Sequence, residues 1–298
     1  MRIRAATRGS PLARWQAKHV AELLQAVLPG LMVDLVIVQS SGDLDLLTPL
    51  DQLGGQGAFV KEIQVAVLEG RADIAVHSAK ELPAQTPSGL LLGAVPQRGD
   101  PRDALVGCRF RDLPLGAEIA TGSIRRRAHL AHRRPDLRFS DLRGNIERRI
   151  ERTAEFDAIV VALAALERLC ISPEVCDPLD PAILLPQVGQ GALAIECRRE
   201  DSEILSLLQL IEEPSTRRAV NAERSFLAEL GAGCGLPVAA HAEILSEGSI
   251  QLSSAVSSVS GDILLVDTRI GNDATMLGRA AARCLLDEQG GSHLLSQT

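Results

Sequence analysis

Short β-branched stretches alternate with amphipathic stretches along the first third of the chain. Residues 3–7 predict a strand, and residues 11–28 predict a helix with Pro11 in its first turn. The same alternation predicts four further elements: a strand at 33–38, a helix at 60–68 and strands at 74–76 and 90–95. Because helices connect the strands, this order predicts a parallel sheet covered by helices on both faces.

A second α/β unit is predicted after residues 99–103, where Gly99 and Pro101 interrupt both periodicities and indicate a hinge. Its predicted strands are 118–121, 137–140 and 158–162, its predicted helices begin at 123, 145 and 163, and a further strand is predicted after it at 192–196. Helices at 201–211 and 215–230 follow, and runs at 250–254 and 263–270 with a helix near 274–288 predict a small α+β domain. The predicted boundaries are 1–98 with 191–212 for the first domain, 99–190 for the second and 213–298 for the third. Ligands of open α/β sheets bind in crevices, so we expect a cleft between the first two domains.

Composition narrows the classes of function. No apolar run reaches the roughly 18–20 residues that cross a bilayer, and the first eight residues lack a signal-peptide core, so we expect a cytoplasmic protein. Six cysteines without a CxxC pair predict reduced thiols and no metal site. A net charge of -7 with 2% aromatic residues argues against nucleic-acid binding.

Arginine dominates the basic residues. Only three of the 31 are lysines (Lys18, Lys61 and Lys80), and ten arginines fall within residues 124–152 beside four acids. Codon bias is one explanation for this excess of arginine over lysine. The other is that the protein binds anions through paired hydrogen bonds, which arginine can form. Most of these arginines fit a solvated helix face.

The exceptions lie where strands lead into helices. Thr121 and Ser123 open a predicted helix whose N–H groups suit an anion, and Arg125 with Arg126 occupies its first turn. Cations there oppose the helix dipole, which makes sense if an anionic ligand binds. Arg143 stands at the next such junction, and Arg8 and Ser10 stand at the first one in the chain.

Two further positions suggest chemistry. Glu81 follows the buried strand at 74–76, and beside an arginine-lined cleft it could transfer a proton, although an ion pair with Lys80 is the plainer interpretation. Cys234 lies between Gly233 and Gly235, and this exposed loop setting could let it carry a covalent group. A small buried hydrophobe is the alternative for that cysteine.

Eight motifs occur in the same order and spacing as in a known family. They are residues 6–13, 54–62, 71–78, 100–104, 133–137, 142–145, 189–198 and 233–234. With them the chain resembles the porphobilinogen deaminase (hydroxymethylbilane synthase) family over essentially its whole length. The resemblance implies two hinged, doubly wound α/β domains like those of type II periplasmic binding proteins, with a small α+β C-terminal domain. It also implies a monomer.

The resemblance implies a transferase that condenses four porphobilinogen molecules head to tail into hydroxymethylbilane and releases ammonia each time. It implies one covalent dipyrromethane cofactor, held by a thioether to Cys234. The other positions that match cofactor-binding residues of the family are Lys80, Thr121, Ser123, Arg125 and Arg126. Those that match substrate-binding residues are Arg8, Ser10, Arg143 and Arg149, and Glu81 stands at the position of the catalytic acid.

Three positions depart from the family pattern. Glu81 replaces an aspartate and is one methylene longer, so we expect a slowed enzyme. Gln56 replaces a lysine and Gly122 a serine, which predicts weaker binding of the cofactor or growing chain. The alternatives are an inactive family member and a non-enzymatic anion-binding module. The two are distinguished by whether the chain takes up a covalent adduct.

Overall fold

The computed structural model describes residues 1–39, 60–231 and 236–295. The chain forms two compact units, Met1–Gly99 with Ala192–Arg217 and Asp100–Gly191 with Arg218–Thr298. The three-domain division predicted from the sequence stays a prediction. Among the described residues, no helix is both long and apolar enough to cross a membrane.

The first unit contains one five-stranded sheet. Numbered along the chain, its elements are β1 (Arg2–Arg8), α1 (Pro11–Val27), β2 (Met32–Val38), α2 (Lys61–Leu68), β3 (Ile74–Ser78), β4 (Leu90–Ala94), β10 (Leu193–Arg198) and α6 (Ser202–Gln209). The strand order is β2-β1-β3-β10-β4. β1 is parallel to β2 and β3, whereas β10 is antiparallel to β3 and β4.

The four strands for which the sequence predicts a parallel sheet, β1 to β4, do run in one direction, and β10 is an antiparallel strand inserted among them. A parallel neighbour needs a crossover of a dozen or more residues, usually a helix packed on the same sheet. β10 instead enters this sheet after the chain has passed through the second unit, and it runs back between β3 and β4.

Both faces of this sheet are covered. On one face, Val20 and Leu24 of α1 pack with Ile74 of β3 and with α6. On the other face, Ile63 and Val67 of α2 pack with β1, β3 and β4. All five residues of β3 are buried, as expected for a central strand with helices on both sides.

The second unit contains a five-stranded sheet and a three-stranded sheet. The first is built from β5 (Asp103–Val106), β6 (Glu118–Ala120), α3 (Ile124–Arg133), β7 (Arg138–Ser140), α4 (Ile146–Glu151), β8 (Ala158–Ala162), α5 (Leu163–Arg168) and β9 (Cys176–Pro178). Its order is β7-β6-β8-β5-β9. β6 is parallel to β7 and β8, and β5 is antiparallel to β8 and β9.

The C-terminal part of this unit is an antiparallel sheet with helices. Its elements are α7 (Pro214–Glu229, which begins in the first unit), β11 (Val238–Ile244), β12 (Ile250–Ser257), β13 (Leu264–Gly271), α8 (Ala274–Arg283) and α9 (Ser292–Leu295). The helix predicted near 274–288 changes to a π-helical turn at Cys284–Glu288. These elements confirm the predicted fold class, two α/β sheets and a small α+β domain.

Candidate functional site

The candidate acid lies at the carboxyl edge of the first unit's sheet. Arg8 ends β1, and Glu81 belongs to the 3₁₀ turn Ala79–Glu81 that follows β3 directly. Because β1 and β3 are parallel neighbours, their carboxyl ends meet at one edge. Arg8 Nη1 lies 3.5 Å from Glu81 Oε2, and the two side chains are 17% and 31% exposed. The structure thus brings together a predicted substrate-binding residue and the predicted acid.

Two other predicted residues stand at the same edge. Lys80 is on the Ala79–Glu81 turn and is half-buried. Ser10 is the N-cap of α1, and its Oγ accepts a hydrogen bond from the Ala13 N–H at 3.3 Å. Because a capping hydroxyl only accepts in this contact, its own proton can still be donated to a ligand.

In the second unit, Arg125 and Arg126 are buried around the carboxylate of Asp103. Asp103 Oδ2 accepts from Arg125 Nη2 at 2.7 Å, and Oδ1 accepts from Arg126 Nε at 3.1 Å and Nη2 at 2.7 Å. Gln190 Nε2 donates to Oδ1 at 3.0 Å and to the Pro101 carbonyl at 2.7 Å. All four side chains are buried. We call them the Asp103 cluster.

The Asp103 cluster differs from the sequence prediction in one respect. The sequence predicts that an anionic ligand neutralises the positive charges at the start of α3. In the structure, ion pairs with Asp103 neutralise part of that charge. Burial and the neighbouring Arg126 lower the pKa of Arg125, and the carboxylate of Asp103 opposes that shift. The assignment of both arginines to the cofactor stays a prediction.

Thr121 and Ser123 serve the start of α3. Ser123 is its N-cap and accepts from the Arg126 N–H at 3.4 Å, while Thr121 Oγ1 accepts from the Ser123 N–H at 3.2 Å. Thr121 is buried and Ser123 is half-buried. Both hydroxyls accept in these contacts, so each keeps a proton to donate.

Arg149 is a second unfavourably placed cation among the predicted site residues. Burial and the charges of Arg126 and Arg143 lower its pKa to about 10. Its Nε donates to the Gly144 carbonyl at 2.8 Å, so its contact there is with a neutral group. Like charges held together at low exposure favour binding of an anion. The donor set fits the carboxylates of a dipyrromethane, because guanidinium groups bind carboxylates with two parallel hydrogen bonds.

Substitution of Arg149 by glutamine is expected to stabilise the ligand-free protein. A lowered pKa means that the native state disfavours the protonated side chain, so its charge costs stability at neutral pH. That cost is relieved only as the pH rises past about 10. We expect Arg149→Gln to raise the melting temperature by about 2–4 °C, which corresponds to about 1 kcal/mol in a chain of this size.

The matched control is Arg148→Gln, an exposed position on the same helix. Its melting temperature should equal that of the parent chain within about 1 °C, because surface substitutions have small effects. A lower melting temperature for Arg149→Gln would mean that the hydrogen bond to the Gly144 carbonyl outweighs the repulsion.

Two predicted positions, Gln56 and Cys234, lie outside the described residues. Sequence reasoning missed Asp103 and Gln190 as site residues. Both belong to motifs that carry the family resemblance, but from the sequence Asp103 is interpreted only as part of a hinge. A carboxylate two residues after the Pro101 break gives no local sign that it will meet arginines more than twenty residues further along the chain.

Comparisons with solved structures give distant likenesses. The benzoate-bound effector-binding domain of BenM is 16% identical, covers 70% of this chain and 90% of its own, and has a TM-score of 0.42. The periplasmic VFT2 domain of BvgS from Bordetella pertussis is 18% identical, covers 75% of this chain and 92% of its own, and has a TM-score of 0.37. At these scores they add nothing to what the sheets themselves show.

Comparisons of sequence are much stronger. Residues 3–206 match the family model "Porphobilinogen deaminase, dipyromethane cofactor binding domain", and residues 217–287 match "Porphobilinogen deaminase, C-terminal domain". A curated porphobilinogen deaminase from Syntrophobacter fumaroxidans (strain DSM 10017 / MPOB) is 44% identical over 292 residues, which are 96% of this chain and 94% of that protein. These matches confirm the family resemblance, the dipyrromethane cofactor and a transferase enzyme. The chain belongs to the porphobilinogen deaminase family.

Proposed function

We propose that this chain condenses four porphobilinogen molecules head to tail into hydroxymethylbilane and releases ammonia at each condensation. The observation that supports this most directly is the grouping of Arg126, Arg143 and Arg149 closely enough for their charges to interact. Arg125 and Arg126 share one carboxylate, and burial together with the charges of Arg126 and Arg143 lowers the pKa of Arg149. Each porphobilinogen brings an acetate and a propionate, so the product gains two carboxylates per ring. Cations at fixed positions are needed to bind the carboxylates of such a chain as it grows.

The residues divide into those that bind and one that moves a proton. Arg143 and Arg149 are proposed to hold carboxylates in the second unit, and Arg8 with Ser10 in the first. Glu81 is proposed to give a proton to the amine of porphobilinogen as its carbon–nitrogen bond breaks, so that ammonia leaves. Its carboxylate can then stabilise the positive charge left on the pyrrole.

The bound dipyrromethane supplies the nucleophilic pyrrole end to which units are added. Cys234 is proposed to hold it through a thioether, and Arg125 and Arg126 would neutralise its carboxylates. Lys80, Thr121 and Ser123 are proposed as further cofactor-binding residues. A cytoplasmic location, a monomeric state and the absence of a nucleic-acid partner complete the proposal and rest on composition and resemblance.

The test is an intact-mass measurement combined with a turnover assay. We expect the purified chain to carry a covalent adduct of two pyrrole units, either as isolated or after incubation with porphobilinogen, and to form hydroxymethylbilane. Cys234→Ala should lose both the adduct and the activity. Cys170→Ala is the matched control, because Cys170 is exposed yet matches no motif of the family.

Two outcomes would contradict the proposal. An unmodified chain that makes no product after incubation with porphobilinogen would remove the enzymatic function. An adduct that persists in Cys234→Ala would move the attachment point to another residue.

A further inference from the structure

Three buried polar side chains, His77, Gln64 and Glu196, meet on one face of the first unit's sheet. Gln64 Nε2 donates to Glu196 Oε2 at 2.8 Å. His77 Nε2 lies 3.2 Å from the same oxygen, which is ion-pair range, and the two side chains are 1% and 0% exposed. We call these three residues the β3 clasp.

Strand register explains why they meet. In the antiparallel β3–β10 pair, His77 is opposite Ala194, and Ala75 is opposite Glu196. Residues two apart on a strand point to the same face, so His77 and Glu196 are diagonal neighbours. Gln64 reaches them from α2, which packs on that face. The β3 clasp thus joins two strands and a helix at the carboxyl end of β3.

Burying the polar groups of the β3 clasp between the sheet and α2 costs free energy of folding. Glu196 is completely buried, and neither its Oε1 nor His77 Nε2 has a partner in hydrogen-bond geometry among the described residues. Replacing buried ionisable groups by apolar residues of similar volume is often neutral or stabilising. The best-attested benefit of such groups is that they fix register, since a one-residue slip turns every side chain to the other face.

The turn that bears Lys80 and Glu81 follows β3 directly. On the opposite face of the strand, Gln16 Nε2 donates to Ser78 Oγ at 2.8 Å. The last two residues of β3 are therefore held by polar contacts on both faces. The Ala79 N–H then donates to the Ala192 carbonyl at 3.0 Å and extends the pairing into the turn.

We propose that His77, Gln64 and Glu196 are positioning residues that set the direction in which β3 presents Glu81. This inference rests on the proposed function, in which Glu81 transfers the proton. It adds that the rate of turnover depends on three buried side chains on the face of the sheet that α2 covers. These side chains act on Glu81 through the backbone of Ser78 and Ala79. Because a displacement of about 1 Å costs on the order of 100-fold in rate, a loosened strand end should affect turnover more than binding.

The experiment compares Glu196→Gln and Gln64→Met with Asp73→Asn in the adduct-bearing enzyme. Asp73 precedes β3 at its amino end, where it pairs with Arg4 at 2.8 Å, so the control removes a carboxylate from the far end of the same strand. We expect kcat to fall by about 10–100-fold in both β3 clasp variants, with KM for porphobilinogen changed by less than about threefold. Asp73→Asn should keep kcat within about twofold while losing stability.

A rescue variant separates positioning from general damage. Gln64→Glu combined with Glu196→Gln restores one carboxylate and one amide beside His77, and it should recover most of the lost kcat. Circular dichroism at the assay temperature shows whether each variant is folded. Hydrogen exchange of the Ala79 and Leu82 amides, whose hydrogen bonds are 3.0 Å and 3.2 Å long, reports on the turn without any turnover.

Unchanged kcat in folded Glu196→Gln and Gln64→Met would overturn the inference, as would an equal loss in Asp73→Asn. Unchanged exchange at Ala79 and Leu82 in the β3 clasp variants would overturn it as well, whether or not the enzyme turns over. Failure of the proposed function is recognised separately, because the unsubstituted chain would then form neither adduct nor product.

Discussion

Asp103→Asn is expected to cause the largest loss of stability of any single substitution considered for this chain. The Asp103 carboxylate is fully buried and accepts hydrogen bonds from Arg125, Arg126 and Gln190. Removing one partner of a buried ion pair typically costs about 3–5 kcal/mol, because the remaining charge has lost its partner in a medium that solvates it poorly. Here two guanidinium groups lose theirs, so we expect the upper part of that range.

Urea unfolding followed by circular dichroism measures this effect. Glu155→Gln is the control, since Glu155 also pairs with an arginine, Arg152 at 2.8 Å, but in an exposed position. Exposed pairs contribute little to stability, so the control should unfold close to the parent midpoint. Equal losses in the two variants would show that the Asp103 cluster is no more important than a surface pair.

The same substitution should reduce cofactor uptake. Without Asp103, Arg125 and Arg126 lose the acceptors that orient their planes, and their repulsion of each other is no longer offset. Intact-mass measurement of Asp103→Asn, made at a temperature where it is folded, should show mostly unmodified chain. Full occupancy by the adduct would mean that the arginines are oriented by other contacts, such as that between Arg126 Nη1 and the Val160 carbonyl at 2.9 Å.

Much of the fold could be predicted because its helices and central strands have strong periodicity. The prediction for α1 at residues 11–28 differs from the observed Pro11–Val27 by one residue, since Ser10 and Pro11 mark its start so clearly. The sequence pattern does not predict β5, β9 or β11. β5 is only four residues long and follows directly on the break at Pro101, and β11 contains His241 and Glu243, which interrupt its apolar run.

The site was predictable only where a residue's own neighbours in sequence reveal its environment. Ser10 and Ser123 were placed at helix starts from local pattern alone, and both are N-caps. Arg125 and Arg126 pair with Asp103 of β5, and Glu81 lies beside Arg8 of β1. These contacts therefore depend on the order of the strands in each sheet. No period in the sequence encodes that Gln190 reaches Asp103, because 87 residues separate them.

Glu81→Gln is expected to abolish most of the activity while leaving the fold intact. The amide has nearly the shape of the carboxylate, but it neither gives nor takes a proton at neutral pH. General acid catalysis typically contributes about 10²–10⁴-fold, so we expect turnover of porphobilinogen to fall by that factor. Glu69→Gln is the control: it lies in the same unit, pairs with Arg71 at 2.8 Å on the surface, and should leave turnover unchanged.

Glu81→Asp then tests whether the extra methylene slows the enzyme. The longer side chain brings Oε2 to 3.5 Å from Arg8, the residue proposed to hold a substrate carboxylate. An aspartate would withdraw its carboxylate by about one carbon–carbon bond, which lengthens the contact with Arg8 and restores the acid of the family pattern. We expect a higher kcat and a lower KM for porphobilinogen, measured beside Glu69→Asp as the matched control. If Glu81→Asp gives no gain or a loss, the site is built for glutamate, and the contact with Arg8 belongs to the working arrangement of the acid.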